Sequence, residues 1–357
     1  MLNVYNLYTK DGIHKYKLLL FSFGINDPFC LPDYINIFSG GMNNLICFSF
    51  ITRNNGLIIM PGYLNPIVIA EQEIEYFDFI SPYGYTGPFF SKEIVESDIH
   101  SFWMHIDNWY LDNNVVTEFI RFNLSGNQLH YTGKIFPTML NIKGKIINEE
   151  NQWSAFDHKV RKNVNKAIRE NISSKVFYID IPKDKILEFH IIYIQTMKRT
   201  GANENFFYTI EEFEKFINEN KEYVAICTIY FQGIPISSEL LLISNDSIYS
   251  FLGGTDEMYF DKRPNDFLKF EALNWARNNG KKYYILGGGH GFEDGIFKYK
   301  KSFFPNDFVN YYTGRKILNI TVYNELLKRR NGVRNRSGLT TLVSEDESFF
   351  PLYNKVN

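Results

Sequence analysis

The chain has 357 residues, and because a domain usually takes about 100–200 residues, this length favours two domains. Its formal net charge is only −2, from 38 lysines and arginines against 40 aspartates and glutamates. This balance excludes a global electric field that would draw the protein to nucleic acid or to a membrane, so any such binding needs a local patch.

Cysteine spacing and the N-terminal sequence narrow the class of protein further. Cys30, Cys47 and Cys227 lie far apart and form no C-x-x-C pair, which predicts buried free thiols rather than a zinc site or a redox dithiol. The first 17 residues have no apolar core followed by a cleavage site, and the apolar run 18–23 is too short to span a bilayer. We therefore expect a cytoplasmic protein.

In chain order, the first half predicts short strands and then one long helix. The turn Asn54-Asn55-Gly56 separates two apolar runs and indicates a hairpin. The expected elements are a short helix at 32–38, strands at 45–51 and 57–60, a helix at 91–110 and a strand at 115–122.

The second half repeats this order. Residues 156–171 form an amphipathic pattern in which Phe156, Val160, Val164 and Ile168 make one apolar stripe. Further elements are expected as helices at 186–198 and 209–218, strands at 223–230, 234–243 and 248–252, a helix that begins at Pro264 and ends by Gly280, and a strand at 282–286.

A β-meander followed by a helix and another strand is typical of an acetyltransferase-like (GNAT) domain. We therefore predict an α+β chain of tandem GNAT-like (acyl-CoA N-acyltransferase-like) domains. The polar stretch 145–152 is the expected boundary. This gives an N-terminal GNAT-like domain at 1–150, a C-terminal one at 151–330, and a tail at 331–357. The stretch 328–338 is basic, and we expect it to be loosely held.

Several chemistries leave no motif in the sequence. The chain has no H-E-x-x-H, no G-x-S-x-G and no Walker A motif, and the seven histidines show no metal-ligand spacing. We expect no metal and no bound cofactor, so that an activated donor such as aminoacyl-tRNA or acyl-CoA would enter as a co-substrate.

The loop that holds the diphosphate of CoA in GNAT enzymes is also missing. That loop reads [QR]-x-x-G-x-[GA] and presents backbone N–H groups at a helix N-terminus. Here the segment 253–265 contains Asp256, Glu257 and Asp261, whose charges oppose a diphosphate. The sequence therefore disfavours an ordinary CoA donor.

Four segments together resemble the FemAB/FemX group of peptidyltransferases. They are SPYGYTGP at 81–88, FDHKVRKNVNKA at 156–167, MKR at 197–199 followed by Phe207 and Tyr208, and LGGG at 286–289 followed by DGIFKYKKSF at 294–303. Each motif is weak alone, but the order and spacing fit, and the likeness covers nearly the whole chain. Two positions depart from the pattern: Tyr299 replaces the usual Phe, and Gly295-Ile296 replaces a small residue followed by Leu.

The resemblance implies an activity. The group's best-studied members add amino acids from aminoacyl-tRNA to the peptide stem of peptidoglycan precursors. No charged heptad segment is present, so we expect a member without the coiled-coil arm. The expected partners are a nucleotide- or lipid-linked peptidoglycan or glycan precursor, aminoacyl-tRNA as one candidate donor, and a peripheral membrane contact.

The resemblance also implies site residues. Lys300, with its neighbour Tyr299, would be catalytic, the lysine stabilising the negative oxygen of the tetrahedral intermediate. Substrate-binding roles are predicted for the aromatic loop, the basic helix and the glycine-rich segment: Tyr83, Tyr85, Arg161, Lys162, Lys166, Gly287, Gly288, Gly289 and His290. For each group the alternative is structural: solvated lysines, packed aromatics or a flexible turn. The basic run 328–336 is a further candidate contact for tRNA or lipid, with a solvated tail as its alternative.

Three functions remain open from the sequence. The first is an aminoacyl or acyl transfer onto an amine of a peptidoglycan or surface-glycan precursor. The second is CoA- or carrier-dependent N-acylation of an amino sugar. The third is a non-catalytic Fem-like binding protein, which would bind the precursor without turnover.

Overall fold

The computed structural model describes residues 1–289, 291, 293–344 and 346–356. Contacts divide the chain into two compact units: unit 1 is Met1–Thr138 with Tyr311–Asn357, and unit 2 is Met139–Asn310. The expected boundary at residue 150 therefore differs from this division by about one strand. The chain also returns to unit 1 after residue 310, which the sequence did not indicate.

Strands and helices alternate through both units. The strands are β1 Leu2–Asn6, β2 Leu45–Ile51, β3 Leu57–Ile69, β4 Gln72–Ile80, β5 Phe89–Phe90, β6 Val115–Arg121, β7 Lys134–Lys145, β8 Ser173–Tyr178, β9 Val224–Phe231, β10 Ile234–Ile243, β11 Ser247–Thr255, β12 Tyr283–Gly287 and β13 Phe308–Ile317. The helices are α1 Lys10–Ser22, α2 Pro32–Phe38, α3 Glu96–Asp112, α4 Glu149–Ala155, α5 His158–Arg169, α6 Lys183–Thr200, α7 Ile210–Glu219, α8 Pro264–Asn278, α9 Gly295–Lys301 and α10 Ile320–Arg336.

Unit 1 is built on an antiparallel meander. Strands β2, β3 and β4 pair in sequence, β1 adds antiparallel to β2, and β6 adds parallel to β4 after the crossover through α3. The buried face of α3, which includes Trp103 and Tyr110, packs on Phe48 and Phe79 of the sheet. Strand β13 then pairs antiparallel with β6.

Unit 2 repeats the same plan. Strands β8, β9, β10 and β11 pair antiparallel, α8 crosses over, and β12 adds parallel to β11. The residues of β7 that belong to unit 2 pair antiparallel with β12. The expectation of an α+β fold made of two GNAT-like units is confirmed.

Helix α5 differs in detail from its predicted stripe. Phe156, Val160 and Val164 are buried as expected, but Ile168 is half exposed and Ala167 takes its place in the core. Because successive helical residues are rotated by about 100°, position 167 rather than 168 returns to the face set by 160 and 164.

The C-terminal segment is not a loose tail. Helix α10 buries Leu326 and Leu327, and the chain beyond it buries Leu342, Leu352 and Tyr353 in the same cluster of unit 1. The basic residues of this run were read as solvated, yet Arg330 and Arg334 are buried. Their guanidinium groups donate to backbone carbonyl oxygens of the segment 340–356.

Two further features concern the chain's chemistry. Cys30, Cys47 and Cys227 are free and buried, as predicted, and burial raises the pKa of each thiol. In the part of the chain that the structure describes, no helix has the length and apolar character needed to cross a bilayer.

Candidate functional site

A cavity in unit 2 is lined by the part of strand β11 that lies beyond its pairing with the parallel strand β12. Strands β11 and β12 pair only at Ser247–Tyr249 and Tyr283–Ile285, although both continue further. Strand β11 stays paired with β10 as far as Thr255, so it separates from β12, whose Gly287 pairs instead with Ile142 of β7. The resulting cavity measures about 570 Å³ and is lined from α6, β10, β11, α8 and α9. This volume is within the usual range of ligand sites.

A buried ionic cluster on Glu239 lies at the cavity. Glu239 and Lys269 are only 5% and 7% exposed and form an ion pair. The Lys269 Nζ also donates to Ser250 Oγ at 2.7 Å, and Ser250 Oγ donates to the Glu239 carboxylate. Tyr284 donates its hydroxyl to Glu239 Oε2 at 3.1 Å. Each charge in this Glu239 cluster therefore has a partner. Burial of an ion costs free energy because the ion loses its hydration, and such pairing offsets this cost.

Lys300 reaches the cavity from the short helix α9. The helix begins at Asp294, whose Oδ1 accepts the Phe297 N–H at 2.8 Å. The Lys300 Nζ donates to the Gly288 carbonyl oxygen at 2.6 Å. Burial lowers the pKa of Lys300 to about 8, and the charge of Lys269 acts in the same direction, while Glu239 and Asp294 oppose the shift. Lys300 is therefore a cation at neutral pH in poorly solvated surroundings.

Tyr299 lines the same cavity. Its hydroxyl oxygen accepts a hydrogen bond from Asn265 Nδ2 at 2.9 Å, and its ring packs edge-on against Phe303. Burial raises the pKa of Tyr299 well above its ordinary value, and Asp266 and Glu239 add to the shift. The phenol therefore keeps its proton at neutral pH and can donate a hydrogen bond.

A second carboxylate and two arginines also line the cavity. Asp266 is in the first turn of α8, and its Oδ1 accepts from Asn163 Nδ2 at 3.2 Å. Burial raises the pKa of Asp266, an effect opposed by Asn163, Arg263 and Lys159. Arg263 and Arg199 also line the cavity, the latter stacked 5.0 Å from the Phe260 ring.

The glycine segment is shaped by close contacts rather than by openness. A Cβ on Gly288 would lie 2.8 Å from Met139 Sδ, and one on Gly289 would lie 2.0 Å from Asp294 Oδ1. Gly287 has a φ of 75°, which also favours glycine. None of the three is a lining residue of the cavity, but the Gly288 carbonyl holds the Lys300 ammonium. His290 lies outside the described residues.

The basic side chains of helix α5 have two different roles. Arg161 Nη1 donates to the Ser154 and Phe156 carbonyl oxygens, at 2.9 and 2.5 Å, so it secures the end of α4. Lys162 and Lys166 instead line a cleft of about 500 Å³, together with Lys159, Asn163, Arg169 and Arg263. We call it the basic cleft. Arg161 is not among its lining residues, contrary to the expectation that Arg161 would join Lys162 and Lys166 at a phosphate site.

The aromatic loop 81–88 belongs to unit 1. Tyr85 packs edge-on against Phe29 and Tyr311, and Tyr311 donates its hydroxyl to the Gly84 carbonyl oxygen at 3.1 Å. Tyr83 is 57% exposed. Within unit 1, Tyr85 thus makes the packing contacts of a rigid turn, while the side chain of Tyr83 is open to a ligand.

Cavity residues that the sequence analysis missed are Glu239, Lys269, Ser250 and Asp266, and Arg199 appeared there only as part of the MKR motif, without a role. One signal was available: Glu239 is the only charged residue in the apolar strand β10. Among the described residues, no group of three or more histidine, cysteine, aspartate or glutamate side chains is arranged to hold a metal ion.

Comparison with known proteins agrees with this geometry. Residues 158–301 match the family model of an acetyltransferase (GNAT) domain. FemX shares the fold with a TM-score of 0.59 at 11% identity, over 83% of this chain and 93% of FemX. The segment 158–301, which matches the family model, includes the whole of helix α5, strands β8–β12, and Lys300. No curated protein sequence matches the chain.

Two further solved structures share the fold. One is the C-terminal domain assigned to a lysylphosphatidylglycerol synthetase from Agrobacterium fabrum, with a TM-score of 0.55 at 10% identity, covering 89% of this chain and 94% of that one. The other is L-PGS from Bacillus licheniformis, with a TM-score of 0.54 at 11% identity, covering 88% and 96%. The matched domain and the two-unit fold define the class: the protein is an acyltransferase in which residues 158–301 match a GNAT domain, and the chain has the fold of FemX.

Proposed function

We propose that this protein forms an amide by transferring an aminoacyl or acyl group onto a primary amine of a peptidoglycan or surface-glycan precursor. The observation that carries the proposal is Lys300, a largely buried cation at the wall of the unit 2 cavity. The motif resemblance to the FemAB/FemX group supports the choice of acceptor, and the shared fold with FemX is consistent with it.

The cavity chemistry suits an acyl transfer. The acceptor amine attacks the donor carbonyl carbon, and the carbonyl oxygen becomes negative in the tetrahedral adduct. A cation held in poorly solvated surroundings stabilises that oxygen more than it stabilises the neutral ground state. The carbon–oxygen or carbon–sulfur bond to the donor's carrier then breaks, and the amide is released. The rest of the rate enhancement would come from holding both substrates in one orientation.

The entrance to α8 favours an aminoacyl ester over acyl-CoA. A diphosphate at a helix N-terminus needs free backbone N–H groups, and the first residue of α8 is Pro264, which has none. The carboxylate of Asp266 is in the same first turn and opposes an anion. Asp256 accepts the Met258 N–H at 3.0 Å, so it caps the preceding turn instead of receiving a ligand. We propose aminoacyl-tRNA as the donor and the cytoplasm as the place of reaction.

The basic cleft supports an acceptor with phosphate groups. Lysines at 159, 162 and 166 and arginines at 169 and 263 line it without an acidic residue. Arg263 lines both the cleft and the cavity, so a ligand held in the cleft has its far end beside the reactive space. A precursor linked to a nucleotide or a lipid through a diphosphate has the matching charge.

The second candidate is CoA-dependent N-acylation of an amino sugar, favoured by the match to an acetyltransferase domain model. The test is a mass-spectrometric screen of the purified chain with mixed aminoacyl-tRNAs or acetyl-CoA as donor. The acceptors are a UDP-linked peptidoglycan precursor with a lysine amine, and glucosamine. An aminoacyl mass added to the precursor supports the proposal, and acetylated glucosamine supports the second candidate. Precursor binding with no product from any pair would mean a non-catalytic binding protein.

A further inference from the structure

The cavity contains two carboxylates in different situations. Glu239 receives hydrogen bonds from Lys269, Ser250 and Tyr284 and is tied into the buried ion pair. These three donors occupy acceptor positions of the carboxylate and fix its orientation. Glu239 is therefore a fixed part of the cavity, and it is poorly suited to proton transfer.

Asp266 has fewer side-chain hydrogen-bond donors than Glu239. Its Oδ1 accepts a hydrogen bond from Asn163 Nδ2 at 3.2 Å, and it lines the same cavity as Lys300 and Tyr299. Helix α8 brings it to the cavity, whereas α9 brings Lys300. The reacting space is thus lined by a cation from α9 and by a carboxylate from α8 that accepts fewer side-chain hydrogen bonds than Glu239 does.

The surroundings of Asp266 set its proton affinity. The charged or titratable groups around this space come from five elements: Lys159 on α5, Arg199 on α6, Glu239 on β10, Arg263 and Lys269 at and within α8, and Tyr299 and Lys300 on α9. Burial raises the pKa of Asp266, while Arg263 and Lys159 favour its ionised form. A carboxylate of this kind is ionised when the substrates bind, yet it takes a proton more readily than an exposed aspartate.

We propose that Asp266 is the general base of the reaction and takes the proton of the attacking nitrogen. The inference rests on the proposed amide-forming function. When the neutral amine forms its bond to the carbonyl carbon, the nitrogen becomes positive while the oxygen becomes negative. Asp266 accepts one proton from that nitrogen. The bond from carbon to the leaving oxygen or sulfur then breaks, and the protonated Asp266 returns the proton to the leaving atom. One proton therefore moves from nitrogen to the carrier.

The test compares Asp266→Asn with the parent enzyme, using the donor and acceptor that react in the screen. Asparagine keeps the size and can still accept from Asn163, but it cannot take a proton. We expect kcat to fall by about 100-fold or more with little change in KM. The parent's loss of rate at acid pH, where Asp266 becomes protonated, should disappear in the variant. Asp261→Asn is the matched control, because Asp261 is exposed and does not line the cavity.

Hydroxylamine serves as a second acceptor with the same donor, after subtraction of its uncatalysed reaction. Its conjugate acid is far more acidic than an alkylammonium ion, so its adduct loses the proton to water without a base. Asp266→Asn should therefore react with hydroxylamine at nearly the parent rate. An equal loss of rate with both acceptors, or a lowered melting temperature that accounts for the loss, would assign Asp266 a structural role and overturn the proposal.

The two proposals fail in different ways. If the parent enzyme forms no amide with any donor, the proposed function and the role of Asp266 both fail. If the parent forms the amide and Asp266→Asn does so at the same rate with an unchanged pH profile, only the role of Asp266 fails.

Discussion

Lys300 shows how burial adjusts a single charge for a task. In water a lysine is a well-solvated cation and stabilises a neighbouring anion weakly. Here burial and Lys269 reduce its proton affinity, while the Gly288 carbonyl fixes the direction of its Nζ. The result is a cation with little water around it, which gives a stronger interaction with a developing oxyanion.

The first prediction concerns removal of this charge. Lys300→Ala should lower kcat by about 100-fold or more with a modest change in precursor affinity, because the interaction forms mainly in the transition state. Lys300→Met should behave alike, since it keeps most of the stem. Steady-state kinetics with the reacting pair would measure both effects.

Lys298→Ala and Lys301→Ala are the matched controls for Lys300. On a helix they point about 160° and 100° away from position 300. Lys298 is exposed, and the Lys301 ammonium lies 4.8 Å from the Phe308 ring. Similar rates for all three alanine variants would show that α9 carries only a solvated basic cluster.

A second prediction follows from the pKa of Lys300, which lies near 8 against an ordinary 10.5. The oxyanion needs the charged lysine, so kcat should fall as the pH rises through about 8, and Lys300→Met should lack this alkaline limb. The stability effect has its own sign. Between about 8 and 10.5 the unfolded chain binds more protons at this residue, so its contribution to the free energy of unfolding rises with pH. A flat parent profile from pH 7 to 9 would contradict the role of the charge.

The origin of each site residue explains how far the sequence could predict the cavity. Lys300 and Tyr299 could be predicted from the sequence because they belong to a contiguous motif. The Glu239 cluster was not, because Tyr284 and Glu239 are 45 positions apart and meet only when α8 carries the chain back to β12. Asp266 follows Pro264 and looks like an ordinary first-turn acid until the cavity forms beside it.

Helix α5 shows that one motif can contain residues with separate tasks. Arg161 and Lys162 are adjacent, yet Arg161 bonds to the end of α4 and Lys162 lines the basic cleft. The helical period places the two about 100° apart. The sequence predicted the helix and its basic character correctly, but it could not show that the arginine would turn back towards two carbonyl groups.

The third prediction separates these tasks. The double variant Lys162→Ala, Lys166→Ala should weaken binding of a UDP-linked precursor by about 10-fold or more and reduce its dependence on salt, with little change in melting temperature. Arg161→Ala should instead lower stability by about 1–3 kcal/mol, because it leaves two carbonyl groups without their donor, and should change affinity little. Calorimetric titration and thermal melts measure the two effects, and the reverse pattern would return Arg161 to the phosphate site.

The sequence predicted two GNAT-like units but not how the chain is divided between them. The repeated order of meander, helix and strand was visible because turn residues separate the strands. The return of the chain to unit 1 was not, since β13 and α10 follow the second unit without a turn signal that marks the change. The basic composition of 328–336 also suggested solvent, whereas Arg330 and Arg334 bind carbonyl groups inside unit 1.

The return of the C-terminal segment has a chemical anchor at Asp78. This carboxylate is 2% exposed and accepts hydrogen bonds from Thr117, Tyr353 and Asn354. Burial raises the pKa of Asp78, and the three donors oppose that shift. Two of the donors come from the last residues of the chain, so the C-terminal segment helps to satisfy a buried charge in the sheet of unit 1.

The fourth prediction tests that anchor. Tyr353→Phe keeps the buried ring and removes only the hydroxyl that donates to Asp78, so it should lower the free energy of unfolding by about 1–3 kcal/mol. Deletion of residues 339–357 should cost more, because it also removes the buried side chains of Leu342 and Leu352 and leaves Asp78 without two of its donors. The matched control is Val343→Ala, in the same segment but 58% exposed, which should change stability little. Urea unfolding of the three variants provides the measurement. If the deletion unfolds at the parent's urea concentration, the segment is dispensable and the buried contacts described for it do not stabilise unit 1.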